Sequence, residues 1–315
     1  MPELPEVETV VRDLRPLVVG RTITAAQQGP KRLRKPWRPE WNAAVRGHQI
    51  EALRRRGKWI VVDLSAGPRL IVHLGMTGQF TAVPATEPRP DHLHLVFTLQ
   101  GGRELRFRDT RRFGSVTFHR NEAAVADVFE ENGLGPEPFG LDPAYFRDAV
   151  RKTTRTLKAI LLDQRVVAGV GNIYADEACF RAQLHPGRRG KSLTPADADR
   201  LREAVEAVLT RAIDRRGSTI RDYIGGSGLK GGFQEEFAAY GRTGEPCPTC
   251  ATAIECVRLA GRSSHFCPKC QVGKLSAISR QLSASSDPQE GPSTPAARRK
   301  SPRARDKMRQ PPGKS

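Results

Sequence analysis

The chain has 315 residues, a formal net charge of +18 and a sequence pI of about 10.3. That length accommodates two or three domains with real cores. No window approaches the ~18 apolar residues of a membrane span, and no secretory leader is present, so the expected setting is cytoplasmic. From residue 284 onward eight Lys/Arg face three acids, which leaves +13 in the body of the chain. A folded body of that charge points to a polyanionic partner, nucleic acid first.

The opening reads MPELPEVETV. Pro5 suits a first helical position, and Glu6 and Glu8 suit the positive end of a helix dipole. Val7, Val10, Val11 and Leu14 follow as one apolar stripe, and Pro16 and Gly20 mark the expected stop. A buried helix this close to the terminus fixes the terminus in space. Removal of Met1 would leave Pro2 with a free secondary amine, which reads either as an inert end or as a reagent.

Residues 21–120 read as β structure. KWIVVDL, RLIVHLGM and HLHLVFTL are short runs rich in branched residues. In the last, Leu93, Leu95, Phe97 and Leu99 alternate as in a half-buried strand. LQGGREL turns a hairpin, and several such strands suggest a sandwich or barrel. ENGLGPEPFGLDP is Gly- and Pro-rich and reads as a linker. Helical patterns follow: TLKAILLDQ, then GVGNIYADEACFRA after a glycine turn. The clearest helix has Thr194 as N-cap, Pro195 first, Asp197 as capping partner and Gly217 at its end. GGSGLKGGF is a glycine-rich loop. Beyond about 280 the chain is rich in Ser, Pro, Arg and Lys and is expected to be disordered.

Four of the six cysteines form two pairs, Cys247/Cys250 and Cys267/Cys270, separated by 16 residues. That is a zinc spacing. Four thiolates close a tetrahedron with bonds of about 2.3 Å and leave no position for water, so one structural Zn2+ is expected. A redox dithiol does not account for two spaced pairs. Between the pairs, IECVRLAGRSSHF predicts two strands around a turn with Gly261 and Arg262. Taken alone, Arg262 is an ordinary exposed hairpin arginine. Cys179 and Cys256 read as packing residues.

Six motifs in this order, PELPEVET, RRGKW, HLGMTG, RDTRRFG, GVGNIYADE and the cysteine hairpin ending in FCPKC, resemble formamidopyrimidine-DNA glycosylase, a bacterial family that removes oxidised purines from DNA. The resemblance spans residues 2–273. It implies an α+β multidomain fold: a β-sandwich with a leading helix (1–134), a helix-two-turn-helix domain (135–237) and a zinc hairpin (238–273), with the disordered basic tail (274–315) beyond. It implies a monomer acting on double-stranded DNA that contains oxidised bases.

The resemblance also assigns roles. Pro2 is the nucleophile that forms a Schiff base with C1′ of the damaged nucleotide. An α-amino group titrates near ~7.7–8.0 against ~10.4 for lysine, so roughly 25–30% of it is neutral at pH 7.4. Glu3 is implied as acid/base at the sugar ring oxygen, with Glu6 a weaker candidate. Lys58 is the implied proton donor for β-elimination. Arg262 holds the lesion phosphate and is linked to δ-elimination. Met76, Arg111 and Phe113 are the implied wedge that fills the gap left by an everted base, and Arg112 faces phosphate. Asn172 is an implied phosphate clamp and is also placed as an N-cap. His92 and Lys158 are implied DNA contacts. The glycine-rich loop resembles a loop closing over the base, with flexible linker as the competing reading.

Two features depart from the family pattern. About 40 residues follow the last cysteine pair, read either as salt-sensitive DNA attraction or as a dispensable extension. RKTTRTLKA carries a sparse lysine cluster, which weakens individual phosphate assignments there. Two other readings compete: a sister enzyme for oxidised pyrimidines similar to endonuclease VIII, whose start usually reads Pro-Glu-Gly, and a zinc-containing DNA-binding protein without catalysis.

Overall fold

A computed structural model describes residues 1–219 and 230–271. The tail 274–315 and most of the glycine-rich loop lie outside the described residues.

Helix α1 (Leu4–Val18) opens the chain. It passes through Pro16 and stops at Val18, between the two residues expected to mark its end, Pro16 and Gly20. Val18 remains buried with Leu14, so packing of the last turn outweighs the one missing backbone donor. Behind it stand two four-stranded antiparallel sheets. One has the order β1 (Ile23–Gln28), β6 (Leu93–Leu99), β7 (Arg103–Asp109), β5 (Gly78–Pro84). The other has the order β2 (Ile50–Arg56), β3 (Trp59–Leu64), β4 (Arg69–His73), β8 (Ser115–His119). A short helix α2 (Trp41–Val45) precedes β2.

The predicted hairpin joins β6 to β7 with Leu99 opposite Arg103 and Phe97 opposite Leu105. The expected half-buried alternation in β6 is incomplete. His94 and Val96, on its other face, are buried too. His94 is held there by the carbonyls of Lys31 and Asp109 at 3.0 and 2.9 Å.

Sequence patterning did not single out α3 (Glu122–Glu131) and α4 (Pro143–Arg151) as separate helices. Residues 163–171, with a turn closed by the Val166 N–H on the Asp163 carbonyl at 2.9 Å and a bend after it, connect α5 (Leu157–Leu162) to α6 (Asn172–Arg181). The long α7 (Pro195–Asp214) carries the predicted Thr194–Asp197 capping box. Strands β9 (Glu255–Leu259) and β10 (Arg262–Phe266) form the last hairpin. Its two-residue turn, Ala260 at φ 49° and Gly261 at φ 73°, has the positive dihedrals that match strand twist. Arg262 therefore begins a strand, directly after the turn. No helix among the described residues is long and apolar enough to cross a membrane.

Helix α1 belongs to two cores. Val7, Val10, Val11, Leu14 and Val18 pack into the sandwich, whereas Leu4 packs into the helical domain beside Val167, Val170 and Tyr174. The first turn thus sits at the seam between the domains.

Candidate functional site

The seam is built by backbone and carboxylate together. The Leu4 N–H donates to the Gly169 carbonyl at 3.1 Å. Glu6, 2% exposed, accepts on Oε2 from the Glu3 N–H at 2.8 Å. Its Oε1 accepts from the Tyr174 hydroxyl at 2.5 Å and the Ser218 N–H at 2.8 Å. One carboxylate therefore ties the first turn of α1 to α6 and to the end of α7. Burial, with Glu6 alongside, raises the Tyr174 phenol and keeps it a donor.

Pro2 is buried beneath an exposed Met1. Glu3 is 3% exposed, and its Oε1 accepts from the Ile173 N–H at 3.1 Å, one of the open amides at the start of α6. Its Oε2 is buried with no hydrogen-bond partner among the described residues. Burial raises this carboxyl, opposed by Lys58, and the Glu6 charge adds to the rise. The residue before Asn172 and Ile173 is Gly171, whose Cβ would stand 2.2 Å from Glu3 Cδ, so a side chain there would displace the Glu3 carboxyl.

Asn172 was also read as an N-cap. The cap is instead Gly171, and Asn172 is the first helical residue. Its Oδ1 is buried and unpartnered among the described residues, as is Glu3 Oε2, and the Glu3 side chain meets the start of α6 through the Ile173 amide.

Lys58 does not start its strand as its position suggests but lies in the turn between β2 and β3, under tight control. Glu137, in the segment between domains, accepts from Arg55, Arg56 and the Gly57 N–H at 2.6, 3.1 and 2.6 Å. Lys58 is 7% exposed, and its Nζ donates to the Val170 carbonyl at 2.9 Å. Burial lowers its affinity for a proton, Glu3 and Glu6 raise it, and Arg262 lowers it. Glu3, Lys58 and Arg262, far apart in sequence, thus share one electrostatic neighbourhood. His73 belongs to it as well: burial drives its imidazole down to about 4, with Lys58 and Lys35 pushing the same way.

The expected wedge lies on two loops clasped together. Met76 and Phe113 are 39% and 45% exposed, and the Arg111 guanidinium lies 4.8 Å from the Phe113 ring centroid. Asp109, fully buried, accepts on Oδ1 from Thr77 Oγ1 at 2.5 Å and on Oδ2 from the Gly114 N–H at 2.7 Å. Thr77 Oγ1 in turn accepts from the Arg111 N–H at 3.0 Å. Gly75, at φ 63°, approaches the Gly114 backbone so closely that a Cβ would meet its nitrogen at 2.5 Å. Asp109 and Thr77 lie in the quoted motifs but their clasping role was not read from sequence. His92 is exposed, at φ 63°, and its carbonyl accepts from the Asp109 N–H at 3.0 Å.

Lys158 corrects its expected place. It is fully buried, with Nζ donating to the Asn172 carbonyl at 2.8 Å and to Asp176 Oδ1 at 2.5 Å. A side chain so enclosed has no surface for a phosphate; it supports the Asn172 turn from behind. Asp176 Oδ2 accepts from the His265 N–H and ring Nδ1 at 2.9 and 3.0 Å. Glu177 accepts from the N–H groups of Ala238, Ala239 and Tyr240 at 2.9, 3.0 and 2.7 Å. Asp176 thus fixes the hairpin that carries exposed Arg262 to α6, and Glu177 fixes the segment that leads into the cysteine module.

The four cysteine sulfurs lie within 4.8 Å of one another. Cys247 to Cys270 is 3.9 Å and Cys250 to Cys267 is 3.5 Å. The edge of a tetrahedron with ~2.3 Å bonds is about 3.8 Å, so the set fits zinc.

Comparisons with known proteins agree with this architecture. Residues 1–116 match the formamidopyrimidine-DNA glycosylase N-terminal domain, 134–223 the formamidopyrimidine-DNA glycosylase H2TH domain, and 244–272 the zinc finger found in FPG and IleRS. A formamidopyrimidine-DNA glycosylase of Geobacillus kaustophilus is 45% identical over 278 residues, covering 86% of this chain and all of the relative. One of Thermomicrobium roseum is 43% identical over 291 residues, covering 86% and 99%. Among solved structures, the complex of a Lactococcus lactis FPG variant with a Fapy-dG containing DNA superposes with a TM-score of 0.81 at 35% identity, covering 86% of this chain and 100% of that one. The Lactococcus lactis Fpg complex with an abasic-site DNA gives 0.80 at 34% over the same shares.

Proposed function

The chain belongs to the formamidopyrimidine-DNA glycosylase family and is a zinc-containing DNA glycosylase of base-excision repair; from that premise we propose that it is bifunctional, excising oxidised purines and then cutting the strand through an iminium on Pro2. Its partner is duplex DNA carrying 8-oxoguanine opposite cytosine or a formamidopyrimidine.

The observation that carries this reading is the buried first turn of α1. It fixes Pro2 at the domain seam and sets beside it a raised carboxyl with one oxygen that has no partner among the described residues. Once Met1 is removed, the Pro2 nitrogen attacks C1′ and the bond from C1′ to the base breaks, the base leaving with the electron pair. Glu3, kept protonated to higher pH by burial, donates to the sugar ring oxygen as C1′–O opens, giving the cationic iminium. Loss of the C2′ proton then expels the 3′ phosphate, with Lys58 as the proton donor, and δ-elimination at the phosphate held by Arg262 expels the 5′ phosphate. The result is a one-nucleoside gap.

Eversion of the base comes first. Met76 and Phe113 fill the space, Arg111 pairs with the orphaned base, and Asn172 donates its side-chain N–H to the backbone phosphate. Zinc, held by Cys247, Cys250, Cys267 and Cys270, supplies rigidity to the hairpin and takes no part in bond breaking.

A labelled 8-oxoguanine:cytosine duplex tests the proposal. The expected product is a gap with phosphate on both flanks, absent from molecules that retain Met1. Preferential cleavage at oxidised pyrimidines would favour the sister activity instead, and tight binding without any cleavage would favour a non-catalytic protein.

A further inference from the structure

A run of unpaired cations leads away from the site along one edge of the sandwich. Residues 31–38 read KRLRKPWR. Leu33 and Trp37 are buried, at 6% and 3% exposure, and pin the segment to the sandwich; Lys31, Arg32, Arg34, Lys35 and Arg38 around them are exposed. Trp37 is held edge-on to Trp41 and Phe97, with centroids 5.1 and 5.5 Å away, and its indole N–H donates to Asn42 at 2.8 Å. Pro36 and Pro39 remove two backbone donors and restrict φ, so the cations ride on a stiff strap.

The strap begins at the wedge. The Arg34 N–H donates to the Arg112 carbonyl at 3.2 Å, and Lys35 bridges Ser115, the first residue of β8. Lys35 Nζ lies 5.9 Å from the Trp59 ring, which packs 4.5 Å from His73. At the far end of β8, Arg38 and Arg120 line a groove of about 510 Å³ together with Trp41 and Phe118. The Arg38 guanidinium lies over the Trp41 ring at 5.3 Å. One acid, Glu40, also lines this groove.

Among the described residues, Lys35, Arg38 and Arg120 make no ion pair with any carboxylate. Arg54, Arg55, Arg56, Arg69, Arg89 and Arg106 of the same domain are all paired. Cations left unpaired on a rigid, aromatic-backed edge are suited to phosphate oxygens. β8 covers about 17 Å at ~3.4 Å per residue, or about five base pairs at ~3.4 Å each.

We propose that Lys35, Arg38 and Arg120 form a phosphate track that holds the duplex on one flank of the lesion, outside the reacting nucleotide. The inference rests on the DNA partner given above but not on the proline chemistry, because its readout is equilibrium binding.

The test uses the full chain and compares it with Arg38→Ala/Arg120→Ala and with Arg38→Lys/Arg120→Lys. Affinity for a 30-base-pair duplex, damaged and undamaged, is measured across a salt series. The expected result is a slope of log affinity against log salt that is less steep by about 2 in the Ala pair, at ~0.9 for each phosphate no longer neutralised, and unchanged in the Lys pair. The Ala effect should vanish when one particular flank is trimmed to two base pairs and persist when the other is trimmed. The rate of base excision with saturating enzyme should stay within twofold of the parent. An unchanged slope in the Ala pair, a Lys pair that falls with it, or an effect that survives trimming of either flank would overturn the track.

Discussion

Two buried charge clusters stand on either side of the turn at the start of α6, and they differ in how completely they are satisfied. In front, Glu3 has one oxygen on the Ile173 amide and the other with no partner among the described residues, while Lys58 donates to a single carbonyl. Behind, Asp176 has both oxygens engaged, by Lys158 and by two nitrogens of His265. Burial is similar in the two places. The difference is in vacant bonding capacity, which is what separates a group available to a substrate from one that holds the scaffold.

The comparison breaks most visibly under substitution. Glu3→Gln should lower base excision by roughly 10²–10⁴, the range for loss of a positioned acid, with the fold intact by circular dichroism. Wild-type rates would place the proton donor elsewhere. Asp176→Asn leaves Lys158 charged and uncompensated in the interior. It should cost about 3–5 kcal/mol in denaturant unfolding, and Asp176→Leu/Lys158→Met should recover much of that. If the single substitution is silent, the rear cluster is not the anchor described here.

Smaller effects sharpen the same contrast. Phe113 is exposed, so Phe113→Ala should shift stability by no more than about 0.5 kcal/mol while measurably slowing excision from duplex DNA; a large loss of stability would mark it as core. Smallest is a pH effect at Glu3. Its folded-state affinity for a proton is raised above the usual carboxylate value of 4.5. The native state therefore holds the proton more tightly than the unfolded chain. That contribution is fully present below about pH 4.5 and fades as pH rises through the higher folded value. Glu3→Gln should thus melt with the parent near pH 4 and above it near pH 8. The reverse order would mean that Glu3 is stabilised as a carboxylate.

Much of this was legible in the sequence where a signal is local. The apolar stripe of α1, the Thr194 capping box and the paired cysteines each declare themselves within a few residues. The front cluster was legible only through resemblance, because Glu3 meets Ile173 across 170 positions. Nothing in RKTTRTLKA distinguishes a lysine destined for the interior from a phosphate contact, and Lys158 was misplaced for that reason. Asn172 was read as a cap because its type suits one; Gly171 takes that place because the Glu3 carboxyl occupies the space a side chain would need. Likewise Asp109 stands in RDTRRFG among cations that suggest DNA, and only the packed loops reveal it as their clasp.

The central claim is that the Pro2 nitrogen becomes bonded to C1′. Borohydride reduction during reaction with an 8-oxoguanine duplex, followed by mass mapping of the adduct, tests it directly. The expected product is a covalent protein–DNA species carried on Pro2, in molecules that have lost Met1, and none from molecules that retain it. Strand cleavage at full rate with no trapped species, or a trapped species carried on Lys58, would contradict it.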